Sequence, residues 1–215
     1  MVSCKMPGDA IYHERQRRQL CALHALNNLF QSDIYTKAQL DEVCKNLSPQ
    51  VWINPHRSVL GLGDYDVNVI MTALQEKGCE AAWFDKRKDP ACINFDEVVG
   101  FILNIPADYK FGYVTLPIKK RHWIAVRKID DGQYYNLDSK LESPHCIGDE
   151  ESLLTYLKGQ LESNDRELFI IVQTNETENA QKWLKNTSTS SVEEATEIEA
   201  ESNSKENAVL GEEVA

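Results

Sequence analysis

The sequence predicts an α+β fold, helical in its first third and strand-rich afterwards. Three observations carry this reading. Apolar residues recur at helical spacing in three segments before residue 78. From residue 81 onward the apolar runs are short, β-branched and aromatic, and one of them turns back through Asp131-Gly132, a strong hairpin signal. Helical and strand-like segments do not alternate, as a chain of βαβ units with a parallel sheet would require.

Residues 1–10 read as a flexible N-terminus, and Ile11 and Tyr12 anchor the start of the fold. In residues 16–30 (QRRQLCALHALNNLF) a polar lead-in meets a cysteine and then a helix. Ala22, Ala25, Leu26, Leu29 and Phe30 share one helix face, with Cys21 just ahead of it. Thr36 and Gln39 form a capping box for a helix to about Leu47, with Ala38, Leu40, Val43, Cys44 and Leu47 on its apolar side. Pro49 stops that helix. Residues 52–64 (WINPHRSVLGLGD) have no period and read as a long loop or a flexible hairpin. Asp64 is placed to cap the next helix, 65–77, which turns Val67, Ile70, Met71 and Leu74 inward and ends at Gly78.

The strands follow. Residues 81–84 are a short one, and 98–105 another that ends at Pro106, with a helix reaching Gly100 as the alternative for its start. Residues 113–116 are a short strand or an edge. Residues 122–129 (HWIAVRKI) are a full strand, and 133–137 return beside it. Residues 152–161 are helical, with Leu153, Leu154 and Leu157 on one side. Residues 168–172 (LFIIV) are continuously apolar and belong inside the sheet. After Thr174 the pattern fails, and Trp183 and Leu184 form the last packed turn. The domain is therefore taken as residues 11–185. Residues 186–215, rich in Ser, Thr and Glu, read as a disordered acidic tail.

The 215 residues suffice for one sizeable domain with its own core. The net charge is -11, and the ten Glu against three Lys from Asn175 onward put most of it in the tail. An acidic chain without a basic face is not built for nucleic acid, which requires clustered cations. Lys119, Lys120 and Arg121 read as a solvated loop. No apolar run approaches the length of a membrane span, and the N-terminus lacks the apolar core of a signal peptide. These features imply an intracellular monomer without an integral membrane segment, cytoplasmic and open also to nuclear or peripheral membrane association. Its six cysteines are then expected as reduced thiols. Neither Cys21 with His24 nor His145 with Cys146 has the spacing of a zinc ribbon or finger, and no metal or organic cofactor is expected.

Cysteine hydrolysis needs a thiolate, a base, a group to orient the base, and donors for the oxyanion. Cys21 stands at a helix start, where the dipole stabilises a thiolate, so its thiol is expected below the free value of about 8.5. His24 lies one turn further along the same helix, a poor geometry for a shared substrate, and reads as a buried core histidine. His13, His56 and His145 read as surface or loop residues. His122 opens a distant strand, the arrangement of papain-type sites. A two-residue turn at Asp131-Gly132 would set Leu141 opposite His122, a turn one residue earlier Ser139, and a bulged loop would shift the pairing further. Asp138 lies in or beside that window and can hold the imidazole and stabilise its cation. Gln16 and Gln19 are both candidates for the oxyanion, with the Cys21 backbone N–H as the second donor. Asn27 and Asn28 read as helix-side hydrogen-bonding groups.

Four blocks then carry a resemblance: YHERQRRQLCALHALNNLFQ at 12–31, YDVNVIMTALQEKG at 65–78, RHWIAVR at 121–127 and YYNLDSKL at 134–141. In order and content they resemble the Josephin family of deubiquitinating cysteine proteases, in its short, Josephin-domain-only branch. The resemblance implies a papain-like fold, its helical part packed on a mainly antiparallel sheet. It also implies that Cys21 is the nucleophile, His122 the base, and Asp138 rather than Asn136 the third member, and it selects Gln16 over Gln19 as the oxyanion donor. Residues 52–64 would be a mobile helical hairpin or flap beside the cleft. Ubiquitin and ubiquitinated proteins would be the partners, and hydrolysis of isopeptide bonds the reaction. The tail lacks the pattern of ubiquitin-interacting helices found in ataxin-type members. The same Cys–His–Asp order also serves acyltransferases of the transglutaminase type, and a non-catalytic ubiquitin-binding module is the third reading.

Overall fold

A computed structural model describes residues 11–49, 54–58, 63–111, 114–174 and 182–185. The expectations for residues 1–10 and 186–215, and for most of 52–64, lie outside the described residues. The described residues up to Trp183 form one compact unit, and residues 184–185 belong to a second.

The early helices form where the apolar spacing places them. Helix α1, Cys21–Phe30, buries Ala22, Ala25, Leu26 and Leu29. No side chain caps its start. At its negative end the Arg127 guanidinium donates to the Leu29 carbonyl at 2.5 Å, a favourable use of a cation. Helix α2, Lys37–Leu47, has the expected capping box between Thr36 and Gln39. It buries Leu40, Val43 and Cys44, while Ala38 and Leu47 of the expected apolar side are exposed. Helix α3, Val67–Glu76, is capped by Asp66, whose carboxylate accepts from the Asn68 and Val69 N–H groups. Asp64, the expected cap, sits too early. Its backbone is left-handed at φ 62 and its N–H is given to the Gln19 carbonyl at 2.8 Å. The buried face of α3 is Val69, Ile70, Ala73 and Leu74, with Val67 and Met71 only partly covered.

The strands are β1 Cys79–Trp83, β2 Gly100–Phe111, β3 Val114–Lys128, β4 Tyr134–Asn136, β5 His145–Gly148 and β6 Glu167–Gln173. They form one sheet in the order β1-β6-β2-β3-β4-β5, and every neighbouring pair is antiparallel. The α+β class and the interior place of β6 are as the sequence predicts. Pro106, however, does not end β2. Pairing with β6 stops at Asn104, so the proline stands where β2 is open on one side, a position that tolerates a missing N–H. The two strand segments expected at 113–116 and 122–129 are one strand, β3.

Alternation along the sheet divides the core. Ala81, Ile102, Trp123, Ala125, Phe169 and Ile171 pack with α1, α2 and α3. The intervening Phe101, Leu103, Ile124, Val126, Leu168 and Ile170 are buried on the opposite face, and helix α4, Glu150–Leu161, adds Leu153 and Leu157 to the core. α1 lies so close to β2 that a Cβ on Gly100 would come within 2.6 Å of Leu29 Cδ1 and 2.8 Å of the Val126 carbonyl. Trp183 forms the expected last packed contact, edge-on to Phe84 at 6.4 Å, and its carbonyl accepts from the Asn94 N–H. Cys21, Cys44, Cys79 and Cys92 are free thiols. Cys146, half-buried on the edge strand β5, is disulfide-bonded, against the expectation of a fully reduced set.

Candidate active site

Cys21 occupies the first position of α1 and is 5% exposed. Burial pushes its thiol above the ordinary value, and the nearby Asp64 carboxylate adds to this. The backbone N–H groups of Trp123 and Ala22 pull the other way without reversing the rise. The expected low thiol is therefore corrected: loss of solvent outweighs the helix dipole here. The action of the Trp123 N–H, on the residue after His122, sets the thiol near that point of β3.

His122 is 2% exposed. Its Nε2 lies 2.6 Å from Asp138 Oδ1. Burial alone would push the Asp138 carboxyl up. The hydrogen bond from His122, the charge of that ring and the Lys140 N–H together hold it below the usual carboxylate range. An ionised carboxylate only accepts, so Nε2 carries the proton of this bond.

The route by which Asp138 arrives sets neither Leu141 nor Ser139 opposite His122. Ile129 N–H bonds the Gln133 carbonyl, and Gly132 takes φ 78. The loop is thus Asp130-Asp131-Gly132, one residue longer than a two-residue turn. The pairs are Lys128↔Tyr134, Arg127↔Tyr135 and Val126↔Asn136, and the ladder ends there. Continued, this register would face His122 with Lys140. Instead the Leu137 N–H bonds Ala125 at 2.8 Å and the chain leaves the sheet. Asn136 Oδ1 accepts from the Asp138 N–H at 2.9 Å, and Asp138 Oδ1 accepts from the Lys140 N–H at 2.9 Å. The local signal for this was the Asn two residues before the Asp, an Asx-turn pattern that strand counting overlooks.

The two glutamines part company. The Gln16 N–H donates to the Ser139 carbonyl at 2.6 Å, which sets it beside the Asp138 turn. Its side-chain amide donates to Arg18 O at 3.1 Å, and its Oε1 is buried without a partner. Gln19 belongs to the other side: its backbone bridges Gly63 and accepts from Asp64. Gly63 has φ 108, and a Cβ on it would lie 2.4 Å from the Gln19 carbonyl oxygen. Among the described hydrogen bonds, none joins the Cys21 sulfur to the His122 ring or to the Gln16 amide.

A groove of about 670 Å³ opens beside Trp123, walled by Val67, Met71, Ala81, Trp83 and Phe169. Rings of Trp83, Phe169 and Trp123 follow one another at 6.1 and 6.0 Å, and Trp83 is 68% exposed. Asp64 and Lys120 also line it and pair at 3.7 Å. Sequence reading missed this groove because its walls come from α3, β1, β3 and β6, which are distant along the chain. Residues 119–121 are not the expected solvated loop. They lie in β3, and Arg121 donates to Asn104 and to the Asp165 carbonyl.

The other histidines are otherwise occupied. His24 is buried, with Nδ1 on Glu14 at 2.5 Å and Nε2 accepting from the Arg17 N–H. His13 contacts the Leu141 carbonyl, and His145 is exposed. His56 is better held than a loop residue. It lies 2.8 Å from Asp66 Oδ2 and 3.1 Å from Ser48 Oγ. That Ser–His–Asp line fastens the end of α2 to the start of α3. Ser48 follows the C-terminus of α2, where the dipole disfavours an alkoxide. Among the described residues no cluster could hold a metal ion, and no helix is long and apolar enough to cross a membrane.

The family model of Josephin matches residues 16–172. A Josephin-like protein of Drosophila melanogaster is 52% identical over 184 residues, 83% of this chain and 82% of that protein. Josephin-2 of Mus musculus is 48% identical over 175 residues, 81% of this chain and 92% of its own. Ataxin-3 of Homo sapiens is 28% identical over 186 residues, 76% of this chain and 45% of the longer protein. The matched span holds Gln16, Cys21, His122 and Asp138, and the chain belongs to the Josephin family.

Proposed function

We propose that this protein is a deubiquitinating thiol hydrolase that cleaves ubiquitin from conjugates or from polyubiquitin. The observation that carries the reading is the His122–Asp138 pair at 2.6 Å, on the strand whose next residue, Trp123, acts through its backbone N–H to lower the Cys21 thiol. Family membership supports the substrate class.

In this reading Cys21 starts as a thiol. His122 Nδ1 takes its proton as the sulfur attacks the carbonyl of ubiquitin's C-terminal glycine. Asp138 stabilises the imidazolium so formed. The Cys21 N–H, at an uncapped helix start, and the Gln16 amide, turned from Arg18, receive the oxyanion. One such donor is worth roughly 3–4 kcal/mol of barrier. His122 then protonates the departing lysine amine, and the thioester forms. In the second half His122 takes a proton from water, hydroxide adds to the thioester, and the thiol is released. The groove beside Trp123 receives the body of the substrate, and the site of action is the cytoplasm.

The test is a panel of diubiquitin linkages with wild type beside Cys21→Ala, together with capture by a C-terminally activated ubiquitin probe. Wild type cleaves and is captured; Cys21→Ala stays folded and does neither. Normal turnover by Cys21→Ala ends the proposal. Partition to an added amine in preference to water would mark an acyltransferase instead.

A further inference from the structure

Asn28 is 0% exposed, yet it carries an amide at a position where packing alone would favour an apolar residue. All its polar atoms are used. Its Oδ1 accepts from the Glu14 N–H at 2.6 Å. Its Nδ2 donates to the Leu137 carbonyl at 2.9 Å and to the Glu14 carbonyl at 3.3 Å. Glu14 is two residues before Gln16, and Leu137 is one residue before Asp138. These two segments then meet once more, through the Gln16 N–H and the Ser139 carbonyl at 2.6 Å.

The Leu137 peptide is thereby pinned on both sides, by Ala125 through its N–H and by Asn28 through its carbonyl. The Asx turn that aims Asp138 starts from this fixed point. The rest of the network locks the other segment. Glu14 is held by His24, Asn27 and Tyr12, and Gln31 bonds both backbone groups of Tyr12. Among the described residues, Asn28 is the side chain of α1 that reaches both segments.

We infer that Asn28 is a positioning residue, whose buried amide sets the carboxylate of Asp138 against His122 and the Gln16 segment against the same turn. It touches no reacting atom. It acts by fixing where Asp138 begins, and a buried, fully satisfied amide is a stiff device for this. The kinetic part of the inference rests on the proposed hydrolase reading; the structural part does not.

The test uses Asn28→Leu, which keeps size and removes all three bonds, and Asn28→Ser, a milder loss should the first fail to fold. Two quantities are read in the folded protein. The first is hydrolysis of a fluorogenic C-terminal ubiquitin amide, per molecule with native circular dichroism. Displacement of a catalytic group by about 1 Å costs on the order of 10²-fold, so kcat falls by that order while KM stays within about twofold. The second is the downfield proton resonance of His122 Nε2–H, the mark of its bond to an ionised carboxylate. It moves upfield in the variants. Adding Asp138→Asn to Asn28→Leu brings little further loss, since both act on one contact. An unmoved resonance with unchanged kcat per folded molecule overturns the inference, and so does full multiplicative loss in the double variant. A wild type that hydrolyses nothing overturns the hydrolase reading alone, because the resonance still reports on Asn28.

Discussion

The sharpest perturbation of the site is the graded series Asp138→Asn and Asp138→Ala. His122 is 2% exposed, so its Nε2–H has no solvent to turn to when the carboxylate is removed. A hydrogen bond to a charged group is worth about 1.5–3 kcal/mol net, and a neutral one about 0.5–1.5. Asn at 138 keeps an acceptor. The Lys140 N–H, which now donates to Asp138 Oδ1 at 2.9 Å, would orient the amide oxygen toward the ring and preserve the tautomer. The loss for Asn is then the difference between a charged and a neutral bond, about 1–1.5 kcal/mol, or about tenfold in kcat. Ala forfeits the whole bond, about 1.5–3 kcal/mol, or roughly 10- to 150-fold.

The same carboxyl makes a stability prediction with a definite sign. Its acidity is raised by folding: the group lies below the usual carboxylate range once His122 and the Lys140 N–H act on it. Such a group contributes stability fully above its unfolded value, about 3.9, and loses it as pH falls through the folded value. The gap between wild type and Asp138→Ala is therefore widest near neutrality and closes below about pH 4. Urea unfolding at several pH values measures the gap, and hydrolysis of the fluorogenic amide measures kcat. A gap that is constant with pH, or equal kcat in wild type and Ala variant, would refute the reasoning.

Three further outcomes follow from the geometry. Trp83→Ala removes an exposed ring whose aromatic partner among the described residues is Phe169; stability falls by no more than about 0.5–1.5 kcal/mol, while KM for ubiquitin substrates rises and kcat holds, and unchanged KM removes the groove from substrate binding. Gly63→Ala combines φ 108 with a Cβ 2.4 Å from the Gln19 carbonyl. It costs about 1–3 kcal/mol, a fall of roughly 2–12 °C in a thermal scan, and an unshifted midpoint would show that the close approach is relieved without strain. Burial holds the Cys21 thiol above its ordinary value, so alkylation of Cys21 by iodoacetamide, followed by peptide mass spectrometry, keeps rising beyond about pH 8.5; a plateau already reached at neutral pH would contradict a buried neutral thiol.

The helices were legible because their signals are local. The capping box of Thr36 and Gln39 and the apolar face of α1 need no tertiary context, and both stand as expected. The cap of α3 was misplaced by two residues because the left-handed turn at Asp64 is imposed by Gln19, more than forty positions away. His122 and Asp138 were legible as neighbours because one hairpin joins their strands. The contact itself comes from the chain leaving the ladder, a feature that counting across a turn does not contain. The groove was illegible, since Trp83, Trp123 and Phe169 are unremarkable strand residues until β1, β6 and β3 are aligned.

The thiol of Cys21 is the instructive disagreement. A helix N-terminus lowers a thiol only as far as its amides are not outweighed by lost hydration, and this sulfur is 5% exposed with the Asp64 carboxylate nearby. The two N–H groups that act against this rise belong to Ala22 on α1 and to Trp123 on β3. The strand that presents His122 therefore also supplies part of the field that favours a thiolate. Charge separation between sulfur and imidazole is then favoured by three groups fixed before substrate arrives: these two N–H groups on the anion and Asp138 on the cation. In the proposed mechanism a bound carbonyl supplies what the resting site lacks, an electrophile that draws the proton across to Nδ1, so a buried neutral thiol and a nucleophilic role for Cys21 are compatible in one geometry.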